Sequence, residues 1–376
     1  MQLNVARTIR ATIERRLGDR KAIILQGARQ VGKTTLIEKL LGEQPDVLWV
    51  NGDDPAARVR WNDISRSLLT QLVAGYSYLV IDEAQRIENV GLAVKMCIDG
   101  RLPVKVLLSG SSSLNLASSL NEPLTGRKWS FELYALSWSE IVGAIRLPAA
   151  LDRVNELLVT GCYPEVVTAT DSKEERLREI AASYLYKDIL EYGDVRKPDL
   201  IVKLLRALAY QIGAEVSYQE LSLLLGVDNK TVQRYIKLLE DAYVLLRLSA
   251  LSTNPRKEIS TSKKIYFLDN GIRNAVIDDF TPFDERADRG PLWENFMVTE
   301  LYKQHRNQGS RGQFYFWRSR SQAEVDLVIS AGGKYHAYEF KYNPRKKATF
   351  AKSFIDRYKP QTMEVVNVGN FSESLV

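Results

Sequence analysis

The sequence predicts an α/β fold of several domains, and three observations carry that prediction. Over residues 20–110, short apolar runs alternate with helical segments, the pattern of a mostly parallel sheet. Around residues 217–248, a helix, a tight turn, a second helix and a strand follow one another. Near the end, strand-like runs at 324–329 and 335–341 flank Gly332-Gly333, as in a hairpin. A chain of 376 residues has room for roughly two to four domains.

The first element is the most specific. Ala22-Ile23-Ile24-Leu25 reads as a buried strand, and Gly27-Ala28-Arg29-Gln30-Val31-Gly32-Lys33-Thr34 follows it, completing the pattern G-x-x-x-x-G-K-[ST]. Thr35 through Leu41 has helical spacing and ends at Gly42. Strand, glycine loop and helix are in the order that phosphate binding needs, because loop amides can then turn inward around phosphate oxygens. Lys33 is expected to reach the outer phosphates and Thr34 to ligate Mg2+. The expected ligand is ATP or GTP.

Tyr78 through Ile81 is an apolar run ending in Asp82-Glu83. Asp82 is expected to hold the hydrated Mg2+, and Glu83 to polarise the attacking water. A third strand, Val104 through Leu108, ends in Ser109-Gly110-Ser111-Ser112-Ser113, either a contact to the γ-phosphate or water, or a serine-rich turn. Arg127 is a candidate for stabilising transition-state charge, from within the chain or from a neighbour.

Composition narrows the classes. Hydrophobic residues at 45% and charged residues at 26% fit an ordinary globular chain. The formal charge is +6, and residues 291–376, with 13 basic and 8 acidic side chains, hold most of it, which suits a polyanion partner there. Cys97 and Cys162 stand far apart with no CxxC, so neither a disulfide framework nor a zinc site is supported. His305 and His336 are the only histidines, which argues against His-ligated metals and a Ser-His-Asp triad. Val5 through Leu17 reads as an amphipathic helix closed by Gly18, without the apolar core of a secretory signal, and no run approaches eighteen apolar residues. No membrane association and a cytoplasmic location are expected.

Residues 148–190 read as helical, with Leu151, Val154, Leu157 and Leu158 on one face and a break at Gly161-Cys162-Tyr163-Pro164, a lid-like block. Ser217-Tyr218-Gln219-Glu220 is a capping box that starts a helix with Leu221, Leu224 and Leu225 inward. Gly226-Val227-Asp228 turns the chain into a second helix, Asn229 to Glu240, with Val232, Tyr235, Ile236 and Leu239 inward and Lys230, Gln233, Arg234 and Lys237 outward. With the following strand, this order reads as a winged helix-turn-helix, whose outward residues are candidate nucleic-acid contacts.

The last unit carries acids. Glu339 and Lys341 point to one side of a strand, and Asp326 on the paired strand faces them. Asp, hairpin, Glu-x-Lys is the arrangement of PD-(D/E)XK nucleases: Asp326 and Glu339 would hold a second metal, and Lys341 would orient water. Glu294 is a candidate further acid, whereas Glu300 should not share the site. Arg318, Arg320 and Arg345 lie around these acids in the sequence, as a phosphodiester backbone requires.

The motifs in order, Arg29 to Thr35, Ile81 to Gln85, Ser109-Gly110-Ser111, Leu124 to Arg127, Gly161 to Glu165, Tyr184 to Ile189, Phe267 to Gly271 and Glu324 to Val328, make the whole chain resemble a prokaryotic AAA-type ATPase family related to archaeal ATPases and STAND proteins, with a C-terminal domain of unknown function. Cys162 stands where a second glycine is expected. The resemblance implies a P-loop AAA+-like core over residues 1–145, a helical lid over 146–198, a winged helix-turn-helix over 199–262 and a restriction-endonuclease-like α/β domain over 263–376. It favours ATP, with Mg2+. The expected function is ATP hydrolysis coupled to nucleic acid, DNA above RNA. The alternative is a STAND-type switch whose inactive C-terminal domain binds a protein partner, and either permits a homo-oligomer.

Overall fold

The computed structural model describes residues 4–111, 124–184, 197–252, 262–310, 312–319 and 321–375. The fold is α/β and holds two sheets. The first has five parallel strands in the order β2-β3-β4-β1-β5: β1 Ala22–Gly27, β2 Val47–Asn51, β3 Tyr78–Asp82, β4 Lys105–Gly110 and β5 Lys128–Leu133. Helices cover both faces, so the central strands are almost wholly apolar: Ile23, Ile24, Leu25, Leu79, Val80, Ile81, Leu107 and Leu108 are all buried. With β4 between β1 and β3, the ends of the loop strand, the acid strand and the serine strand open at one edge of the sheet.

The second sheet has seven strands in the order β12-β11-β10-β9-β7-β8-β6. Here β6 is Glu215–Val216, β7 Leu245–Ala250, β8 Lys263–Phe267, β9 Gln313–Arg318, β10 Glu324–Ala331, β11 Lys334–Phe340 and β12 Thr362–Val366. The helices Tyr218–Leu225 and Asn229–Asp241 are joined through Gly226, whose φ of 65° suits a residue without Cβ, and they precede the antiparallel pair β7 and β8. The helix Arg289–Asn307 then leads into β9, β10 and β11, which pair antiparallel, and β12 returns parallel to β11 after the helix Lys352–Tyr358. Because β9 pairs with β7, one sheet runs through both units.

Three expectations are corrected. The N-terminal helix is only Arg10–Glu14: Thr8 donates its amide to Glu140 Oε1 at 2.8 Å, and the segment before it lies along the glycine loop instead of coiling. Leu151 is 43% exposed, because the helix Leu147–Asp152 is separate from Val154–Thr160 and turns a different face inward. Leu224 is 67% exposed, so Leu221 and Leu225, with the half-buried Tyr218, anchor that helix. Among the described residues, no helix is long and apolar enough to cross a membrane.

Candidate functional site

The glycine loop joins the end of β1 to the helix Lys33–Leu41. Gly27 has no room for a side chain, since a Cβ there would lie 2.0 Å from the Leu133 carbonyl oxygen. Gly32, with φ of 91°, turns the loop into the helix, and the amides of the first helical turn face the loop without intrahelical partners. Lys33 is 6% exposed, and its ammonium donates to the carbonyls of Gly27 at 3.0 Å and Ala28 at 2.7 Å. Those two carbonyls hold a buried cation at the mouth of the loop, where the sequence places a phosphate contact.

Asp82 sits beside that loop. Thr34 Oγ1 donates to Asp82 Oδ2 at 2.8 Å, Ser109 Oγ donates to Oδ1, and the Glu83 amide donates to Oδ1 at 3.1 Å. Thr34 and Asp82 are therefore already in contact, which fits their expected sharing of a hydrated Mg2+. Glu83 adopts a left-handed conformation with φ of 47°, uncommon for glutamate and the kind of backbone strain that clusters at functional sites. Gln85 bridges Glu83 and Ser111, donating to the carboxylate and, at 3.0 Å, to Ser111 Oγ. The serine tip is thus part of the acid network. Ser112 and Ser113 lie outside the described residues.

A cavity of about 780 Å³ opens from the loop, lined by Gly32, Thr35 and Lys39 on one wall and by Thr168 and Arg176 on the other. The second wall comes from the helices Pro164–Thr168 and Lys173–Tyr184, the block expected to be a lid. Sequence reasoning missed two arginines here. Arg7 donates to the carbonyls of Val31 at 2.7 Å and Tyr134 at 2.5 Å. Its Nε lies 3.1 Å from Glu140 Oε2 without hydrogen-bond alignment, so charge rather than directionality holds that pair. Arg176 is positioned by Glu165 at 2.6 Å and Asp171 at 3.0 Å. Neither sits in a motif: Arg7's partners are remote in sequence, and Arg176's lie in the preceding helix and the turn before its own helix.

Arg127 is not brought to this site within the chain. It precedes β5, its carbonyl accepts from Ala22 at the opposite end of β1, and it forms an ion pair with Asp99 at 2.6 Å. The sheet's length separates it from Lys33.

At the second candidate site, Asp326, Glu339 and Lys341 do converge. Lys341 Nζ lies 2.8 Å from Glu339 Oε2 and 3.4 Å from Asp326 Oδ2, and the Phe340 amide donates to Asp326 Oδ2 at 2.8 Å. Burial, and then the charge of Asp326, push the Glu339 carboxyl up to about 7. Glu294 is also pushed up to about 7, first by burial and then by Asp326, although Lys264 pulls it down. Its partners are Lys264 Nζ at 3.0 Å and the Tyr266 hydroxyl at 2.7 Å. Among the described residues, no group of three or more His, Cys, Asp or Glu side chains is arranged to hold a metal ion.

Lys230, Gln233, Arg234 and Lys237 are exposed as expected; Lys237 pairs with Asp241 at 2.6 Å. Arg345 is exposed, Arg318 pairs with Glu215 at 3.0 Å, and Arg320 lies outside the described residues, as do residues 185–189 of the motif starting at Tyr184.

The loop, the acid strand and the intervening serine strand define a P-loop nucleotide-binding core. Residues 19–142 match the AAA domain family, and the fold over that stretch is that of a P-loop nucleotide-binding domain. Residues 151–282 match a domain of unknown function (DUF8612), and residues 289–375 match another (DUF4143). The chain is similar to an uncharacterized protein of Mycobacterium tuberculosis, 29% identical over 340 residues covering 88% of this chain and 72% of that protein. One from Haemophilus influenzae is 26% identical over 236 residues, covering 60% of this chain and 58% of that protein. Among solved structures, a Walker-type ATPase of Pyrococcus abyssi aligns over 72% of this chain and 94% of its own, with 14% identity and a TM-score of 0.49.

Proposed function

We propose that this chain hydrolyses ATP with Mg2+ and acts on nucleic acid, with DNA the favoured partner, through a winged-helix middle and a nuclease-derived C-terminal unit. In the ATPase core, Lys33 and the loop amides bind and orient the outer phosphates, Thr34 and Asp82 would hold Mg2+, and Glu83 accepts the proton of the attacking water. Mg2+, when bound with the triphosphate, supplies charge neutralisation. Gln85 and Ser111 fix the direction of Glu83.

One observation carries the nucleic-acid reading. The seven-stranded sheet joins the hairpin behind the cationic helix Asn229–Asp241 to a helix-β-β-β-helix-β unit bearing Asp326, Glu339 and Lys341. That order puts Asp326 and Glu339 on paired antiparallel strands, which supports the nuclease-derived reading, and the helix with exposed Lys230 and Arg234 packs on β7 of the same sheet. Cationic side chains there would neutralise phosphates, and binding would weaken steeply with salt.

The test is ATP turnover with and without duplex DNA, single-stranded DNA and RNA, with strand integrity followed in the same tubes. The expected result is salt-sensitive DNA binding, stimulated turnover, and binding weakened about tenfold or more by Lys230→Glu with Arg234→Glu. No nucleic-acid binding at low salt, with tightly retained nucleotide and nucleotide-dependent oligomer size, would instead favour the switch that engages a protein partner.

A further inference from the structure

The C-terminal acids do not fit a divalent cation, because a lysine already stands among them. Lys264 enters from β8, outside the helix-β-β-β-helix-β unit, and is 3% exposed. Its ammonium lies 3.0 Å from Glu294 Oε1 and pairs with Glu324 Oε1. Glu294, the acid from the Arg289–Asn307 helix, is thereby committed to Lys264 and to the Tyr266 hydroxyl. The remaining acids, Asp326 and Glu339, are both held by Lys341 from the other side. Two ammonium groups thus pair with the cluster's four carboxyls from its two ends, Lys264 with Glu294 and Glu324 and Lys341 with Asp326 and Glu339, and each cation is supplied by the chain itself.

We propose that Lys264 is a built-in cation that keeps this site metal-free, so that the C-terminal unit holds nucleic acid without cleaving it. The inference rests on reading that unit as nuclease-derived. A divalent ion would have to approach a buried ammonium that it repels, and displacing Lys264 would leave a charge without a partner in the interior, a costly arrangement. Lys264 also pins β8 to the Arg289–Asn307 helix and to β10, so the same contact that excludes metal joins the hairpin to the acid-bearing strands.

The test compares Mn2+ uptake, read from the paramagnetic resonance of free Mn2+, by the full nucleotide-free chain and by its Asp326→Asn, Glu339→Gln double variant. Coincident curves into the millimolar range are expected. One additional ion on the wild-type chain overturns the proposal. Lys264→Met, verified as folded by circular dichroism, should gain an ion about tenfold or more tighter than wild type, lost again with Asp326→Asn. A folded Lys264→Met chain with no gain also overturns it; should that variant not fold, the wild-type comparison decides alone. DNA binding in EDTA is measured in parallel. Its absence would contradict the nucleic-acid function, while the Mn2+ comparison would still read the site.

Discussion

Asp82 and Glu83 are neighbours with opposite surroundings. Asp82 accepts from Thr34, Ser109 and a backbone amide, as a group fixed in place for a cation should. Glu83 is held through Gln85 on a strained backbone, as a base aimed at one position should be. Glu83→Gln is therefore expected to keep nucleotide affinity while slowing turnover by about 10² or more. Equilibrium binding beside steady-state turnover checks this, and equal losses in both would remove Glu83 from the base role. Glu339 offers a pH test. Its folded value near 7 lies above its ordinary value of 4.5, so between those values the folded chain holds a proton that the unfolded chain releases. That contribution to stability is complete below about 4.5 and is lost as pH rises through about 7. Urea midpoints at pH 5 and pH 8 should show wild type losing more stability across this window than Glu339→Gln. The glycine loop was legible because its motif is contiguous in the sequence. Arg7 and Lys264 were not, because tertiary contacts across the fold, not spacing, give each its place; Arg176 was not, because its partners Glu165 and Asp171 lie in the preceding helix and turn, not at a fixed spacing on its own helix.

Among the elements, the contacts between segments distant in sequence explain motifs that looked unrelated. Gly161 ends the helix Val154–Thr160 with φ of 70°, and a Cβ there would collide with Asp269 Oδ1 at 2.0 Å. Asp269 accepts from the Cys162 amide at 2.7 Å and from the Ile272 amide at 3.2 Å, capping the helix Asn270–Ile277. The Gly161 and Asp269 motifs are thus two sides of one interface. A second link joins the ATPase core to the C-terminal unit: Trp138 donates its amide to Glu300 Oε2 at 2.6 Å, and Lys303 bonds Glu300 at 2.7 Å and the Leu136 carbonyl at 3.2 Å. Both charged side chains are almost fully buried. Glu300 bonds the Trp138 amide and Lys303, and its place in this contact has no signature in the sequence. Glu300→Ala leaves the Lys303 ammonium buried and unpaired, and should cost about 3–5 kcal/mol in chemical denaturation. A loss below about 1 kcal/mol would show that water reaches this contact. The exposed Leu224 shows the limit of helical spacing: it assigns a face, but the helix's packing decides how wide that face is.

For the molecule as a whole, the parallel sheet was readable because strands buried on both sides are written as continuous apolar runs. The seven-stranded sheet was not, since its continuity depends on β7 pairing with β9 across more than sixty intervening residues, and no periodicity encodes such a partner. That continuity ties the basic helix, the acid cluster and the docked Arg289–Asn307 helix into one body. From the phosphate loop, contacts run through Arg7 and Glu140 to Ser137, then from Trp138 to Glu300. A continuous set of contacts thus joins the phosphate loop to the C-terminal unit.

All of this depends on a triphosphate seated on the glycine loop. The most direct measurement is ATP turnover with Mg2+ by the wild-type chain and by Lys33→Ala, each verified as folded. Measurable wild-type turnover that falls to background in the variant is expected, and undiminished turnover in Lys33→Ala would rule out the glycine loop as the triphosphate site.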